Sequence, residues 1–153
     1  MFQKKVNKKL AFGVPGDFYD ADSPRRVDPK TVSGGAICRF YTLDTSDPTK
    51  AILGGTGVLA GVAINSKEYV VNGLTPSLTF VDGAKAQICS MGRIVMQLAT
   101  PVTVGMAAYY NTTTGEISAA AHASSIEGSV EIPGSVFVEV NALANELSVL
   151  QLG

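Results

Sequence analysis

From Ala36 onward the chain is a series of short apolar, β-branched segments separated by Gly, Asn, Asp and Pro. Residues 36–43 (AICRFYTL) have the β-branched and aromatic content of a strand. Residues 44–50 (DTSDPTK) read as a turn or loop. A second strand, interrupted by glycine, is predicted over 57–64 (GVLAGVAI), and further strands over 67–73, 77–83 and 86–98. Asn72-Gly73 and Asp82-Gly83 carry turn chemistry, because glycine takes positive φ at little cost. Beyond residue 100 the pattern gives a short strand, a turn at Gly105, a strand through Tyr109 and Tyr110, a turn at 111–115 (NTTTG) and a returning strand. Val136, Val138 and Val140 alternate with Phe137 and Glu139, and the loop 141–146 (NALANE) leads to a last alternating strand at 147–152. Tyr109 and Tyr110 are adjacent and are expected on opposite faces, one in the core and one on the surface. No long helical period is present. Short strands at this spacing predict a mainly β domain, a barrel or a sandwich.

Residues 1–35 differ. Gly13, Pro15, Gly16, Pro24, Pro29, Gly34 and Gly35 interrupt them, and neither a 3.6-residue nor a two-residue period persists. Yet Phe2, Leu10, Phe12, Val14, Phe18 and Tyr19 are too apolar for a solvated linker. The division expected is an extended arm over 1–35 and a compact β body over 36–153. The apolar arm residues are expected to lie on a surface, the chain's own or a neighbour's.

Charge sharpens this division. Only 16% of residues are charged, against about 25% in soluble domains, which points to surface covered by partners. Residues 1–30 hold seven basic and four acidic side chains, and the rest holds five basic and nine acidic. The arm is thus basic on a slightly acidic body, although net charge is -1. That balance gives no field for nucleic acid, and no aromatic array is interleaved with the lysines. No apolar run is long enough for a membrane-spanning helix, and the apolar stretch after the first lysines ends too early for a secretory signal core. A protein made in the cytoplasm with reduced thiols is expected.

Candidate chemistry is sparse. The one histidine, His122, lies in a small-residue segment read as an exposed loop. Within the run Gly54–Gly61, Gly55 to Gly61 has the spacing GxGxxxG, but a β-branched strand follows where a phosphate site needs a helix. It reads as a loop feeding a strand, with glycine allowing a bulge or close approach. The acidic residues show no spacing for acid–base work. No catalytic, cofactor or metal residue is assigned, and an enzyme is not expected.

The segment Gly13-Val14-Pro15-Gly16-Asp17-Phe18, followed by Ser23-Pro24-Arg25-Arg26, resembles the N-terminal signature of tailed-bacteriophage structural cement proteins. The later Pro101-Val102-Thr103-Val104-Gly105, Tyr109-Tyr110 and Thr114-Gly115 match that family's order. The resemblance implies a virion protein, a capsid decoration on the outer surface of the shell that stabilises subunit junctions. It implies the major capsid protein as partner and a homo-oligomer, a trimer before a dimer. Small-molecule substrates, nucleic acid and membranes are not expected partners. A tail or baseplate component, or a small β-barrel binding module, are the alternatives. The contact residues expected are Phe12, Val14, Pro15, Gly16, Asp17, Phe18, Tyr19, Pro24, Arg25 and Arg26: apolar anchors, proline-restricted backbone, and arginines able to grip carboxylates.

Cys38 and Cys89 lie among strand-like residues without a CxxC pair and are expected to be small buried hydrophobes. Replacing both by Ala or Ser is predicted to leave assembly intact. Loss of assembly after mild reduction of the wild-type protein would contradict this.

Overall fold

The computed structural model describes residues 13–65, 70–71, 75–76 and 79–153. Twelve strands and no helix occur among them. In chain order they are β1 (Arg26–Ser33), β2 (Phe40–Leu43), β3 (Lys50–Leu53), β4 (Leu59–Ala63), β5 (Val70–Val71), β6 (Thr75–Pro76), β7 (Asp82–Gln97), β8 (Ala107–Asn111), β9 (Ile117–Ala120), β10 (Ser129–Glu131), β11 (Val136–Val138) and β12 (Leu147–Leu152). The mainly β expectation holds, and the body closes as a barrel. The strand order β1-β3-β2-β4-β7, with β1 also paired to β7, makes a ring of five.

β7 is the axis of the molecule. Over sixteen residues it pairs antiparallel with β1 through its first part and with β12 through its second. β12 in turn pairs with β11, and β8 lies between β9 and β10 in a separate three-stranded sheet. Residues at even positions of β7 serve two cores. Ala84, Ala86 and Ile88 point into the barrel with Val32, Tyr41, Ala51, Ala63 and Phe80. Ile94 and Met96 enter a second cluster with Phe40, Phe137, Tyr110 and Leu150. A five-stranded barrel is narrow, and alanines on three walls leave room for Tyr41 and Phe80.

Several expectations are revised. Strand β1 lies inside the segment read as an arm. Its eight residues pair with β7 from Arg26↔Met91 to Ser33↔Asp82, so no seam in the hydrogen bonding falls at 35/36. Pro29 had disguised it. The strand tolerates proline there because β3 reaches only Thr31 and Val32, leaving Pro29 a ladder neighbour on one side. β3 itself was unforeseen: its three apolar residues are too few to show a period. Asp82-Gly83 forms the expected turn, closed by the Ala84 N–H donating to the Val81 carbonyl at 3.1 Å with Gly83 at φ 80, but the turn opens β7 rather than separating two strands. Cys38 lies in a turn, at φ 66, and only Cys89 lies in a strand; both are free thiols. Tyr109 and Tyr110 are both buried, because β8 is covered on both faces. Their hydroxyls are satisfied by the carbonyls of Ala121 and Gly55. The turn at Asn72-Gly73 and parts of the strands expected at 67–73 and 77–83 lie outside the described residues.

Gly61 shows why the run 54–61 is glycine-rich. It sits in β4 at φ 142, and a Cβ there would stand 2.1 Å from the Cys89 carbonyl oxygen of β7. Beside it the β2–β4 register shifts between Tyr41 and Thr42, which makes a bulge. Gly61→Ala is therefore predicted to cost about 3 kcal/mol or more, from overpacking against backbone plus strain. Gly105→Ala, at φ 96 but with open space around it, should cost only about 1–3 kcal/mol of backbone strain. Urea unfolding of both variants checks the order.

Candidate functional site

The segment before β1 is pinned to the body by its main chain. Val14-Pro15-Gly16-Asp17 forms a turn closed by the Asp17 N–H donating to the Val14 carbonyl at 2.9 Å. Proline second and glycine third, with Gly16 at φ 91, are what a type II turn requires. Gly16 is also a contact point, since a Cβ on it would lie 2.4 Å from Ile37 Cγ2. The Gly16 N–H donates to the Val95 carbonyl, the Val95 N–H to the Asp17 carbonyl, and the Tyr19 N–H to the Arg93 carbonyl. On the far side, the Asn65 N–H donates to the Gly16 carbonyl. Phe18 bridges to Ile94 and rests over Gly92, where any side chain would press on its ring.

Residues 20–25 form a compact loop. The Asp20 carboxylate accepts from the Ser23 N–H at 3.0 Å and from the Ser23 hydroxyl at 2.7 Å. Arg25 lies over the Phe18 ring, 4.1 Å from its centroid, and also donates to the Asp20 carbonyl. Such a cation over an aromatic face contributes about 0.5–1 kcal/mol at an exposed site. Arg93 of β7 ties this loop to the other end of the fold. Its Nη1 donates to Glu139 Oε1 at 2.7 Å and lies 3.9 Å from Asp20 Oδ2, and its Nε donates to Gln151 Oε1 at 3.1 Å. Glu139 is held at φ 71, a conformation a non-glycine residue rarely takes, with its carboxylate on this guanidinium.

The expected contact residues thus divide. Gly16 is buried, and Pro15, Asp17, Phe18 and Tyr19 are half-buried against the chain's own barrel. Val14 (53% exposed), Pro24, Arg25 and Arg26 face outward. Phe12 lies outside the described residues. Arg26 stands opposite Met91, itself an exposed apolar residue, beside a shallow hollow of about 250 Å³ lined by Pro24, Met91, Arg93 and Gly153. Pro15 and Gly16 read in the sequence only as residues that interrupt a helix, although proline followed by glycine is the signal of the turn they form, and the Asp20–Ser23 pair was not foreseen. The Arg93 network was not foreseen, because its members come from positions 20, 93, 139 and 151 and no local spacing joins them.

Other reactive groups are quiet. Burial, with the Asp17 charge adding to it, pushes the Cys38 thiol up to about 12, and burial takes Cys89 to about 11. His122 Nδ1 lies 2.9 Å from Glu131 on the surface. Among the described residues no group of three or more His, Cys, Asp or Glu is placed to hold a metal ion.

The chain belongs to the phage family described as structural cement protein (E217 gp24/Pam3 gp6), whose pattern matches residues 2–153. It is a structural protein of the phage virion. Its fold is similar to a chain in the capsid of Myoviridae phage XM1, with a TM-score of 0.66, 18% identity, and coverage of 99% of this chain and 97% of that one. A weaker likeness, with a TM-score of 0.45 and 11% identity over 85% of this chain and 95% of the other, is to the head fiber gp8.5 N base in bacteriophage phi29. No curated protein sequence matches.

The loop geometry gives a test. The Ser23 hydrogen bonds, then the Arg93 and Arg25 charges, hold the Asp20 carboxyl below its ordinary 3.8. A carboxylate with a lowered folded pKa stabilises the fold above its unfolded value and loses that contribution as pH falls through the folded one. Asp20→Asn should therefore unfold at a lower temperature than wild type at neutral pH, and the gap should close below pH 3.8. Thermal unfolding of both proteins across that range checks it.

Proposed function

We propose that this protein binds the outer surface of the phage capsid and reinforces the shell across subunit junctions, without catalysis. The observation that carries the reading is the outward face of the arm. Val14, Pro24, Arg25 and Arg26 are displayed on a segment whose backbone is already fixed by β7 and by Asn65. A preformed contact surface loses little conformational entropy on docking. Arg26 has no ion-pair partner among the described residues and can grip a carboxylate on a neighbour. Family membership supports a shell partner, and the major capsid protein is the partner proposed.

Self-association fits the same surface chemistry. Few charges cover the body, and Val58 and Leu143 are each more than 60% exposed. We assign a homo-oligomer, a trimer before a dimer, so that each particle contacts the lattice several times and avidity rises without tighter single contacts.

Purified protein added to shells assembled without it provides the test. Wild type should bind. Val14→Asp combined with Arg26→Glu should weaken binding about tenfold or more, a loss of about 1.4 kcal/mol or more, with an unchanged unfolding midpoint. Equal binding by wild type and variant would remove the arm from the interface, and no binding by wild type would refute the function.

A further inference from the structure

Between the end of β7 and the outer edge of β9 lies a groove of about 700 Å³, lined by Ile37, Met96, Leu98 and Ile117 among others. The ladders fix which main-chain groups face it. The Asn111 N–H donates to the Glu116 carbonyl, and alternation along the antiparallel pair then sets Tyr109–Ser118 and Ala107–Ala120 as the hydrogen-bonded pairs. The N–H and C=O groups of Ile117 and Ala119 therefore point away from β8, and no described residue bonds them. On the opposite wall, Arg93 and Val95 use their outward groups on Tyr19, Gly16 and Asp17. Gln97 is next in that row, and its outward main-chain groups have no described partner. Ile117 and Gln97 both line the groove, and Ala119 continues the same unused β9 edge just beyond it. Exposed edges of this kind are templates for an added strand.

We propose that the groove takes an extended, uncharged segment of the neighbouring shell subunit, which adds to β9 as a further strand; this rests on the capsid-binding reading above. Charge selects the occupant. The groove's Arg39 and Glu116 neutralise each other at 3.3 Å, so it offers no field to a charged peptide. The chain's own first residues carry Lys4, Lys5, Lys8 and Lys9, and four ammonium groups have no counter-charge to meet there. An apolar residue at every second position of the incoming segment would lie against Met96 and Leu98, and its backbone would bond Ile117 and Ala119.

The test is Ala119→Pro in the full chain. Proline removes an N–H that no acceptor among the described residues uses and puts its ring in the path of an added strand. The variant should keep the wild-type unfolding midpoint and bind cement-free shells at least about tenfold more weakly. Ser118→Pro, which loses a bond to β8, should lower the midpoint instead. Wild-type binding matched by Ala119→Pro overturns the groove proposal and leaves the capsid-binding reading standing; no binding by wild type overturns both. Should Ala119→Pro fail to fold, amide exchange in the wild-type protein decides. Slower exchange at Ile117 and Ala119 on shell binding supports the proposal, and unchanged exchange overturns it. Slow exchange in concentrated free protein would assign the groove to a second copy and overturn the occupant.

Discussion

The fold depends on the double-edged pairing of β7. A strand of sixteen residues is about three times the usual length, and it is held from one edge along its first part and from both edges through its middle and second part. β1 and then residues 16–19 run along one edge, while β4 and β12 share the other. The barrel and the second core are therefore two stretches of one ladder. A change that shifts the register of β7 by one residue would turn Ala86 and Ile88 out of the barrel and Ile94 and Met96 out of the second core together. Stability in the two halves is coupled through this strand.

The glycines make the crowding around β7 possible. Gly61 lets β4 approach the Cys89 carbonyl, Gly92 gives Phe18 a place to lie, and Gly16 passes under Ile37. Each allows main chain where a side chain would stand. The small barrel interior has the same logic, with alanine on the walls and two aromatic rings filling the centre. Two hydroxyls that this packing buries find partners nearby: that of Thr42 donates to the Gly54 carbonyl and that of Ser135 to the Ile132 carbonyl, so the interior holds these dipoles without the cost of a lost bond.

The β character and the position of most later strands were legible because alternation and turn residues agree there. The turn at 111–115 and the last strand read directly, while the alternation expected over Val136–Val140 holds only to Val138, because Glu139 leaves the extended conformation at φ 71. Where local and tertiary signals conflict, the sequence misled. Pro29 argued against β1, yet that strand meets no second neighbour at the proline. Two adjacent tyrosines promised one buried ring, but β8 is covered on both faces by packing that no local window contains. The expected contact residues were found as one segment, and the structure sorts them by depth, with Gly16 and Phe18 turned to the body and Val14, Pro24, Arg25 and Arg26 turned out. That sorting follows from the bonds to Val95 and Arg93, partners some seventy-five residues away in sequence.

Residues 16–19 and 26–33 lie antiparallel along β7, with their hydrogen bonds across the strand axis. The geometry has a mechanical meaning for any load carried through the arm. A load directed along β7 does not peel the bonds open one after another. It acts along the strands and stresses many bonds at once in shear, with the Arg93 network bracing the loop between the two paired stretches. Tension on the segment is thus spread over the longest strand in the protein, and through it over both cores.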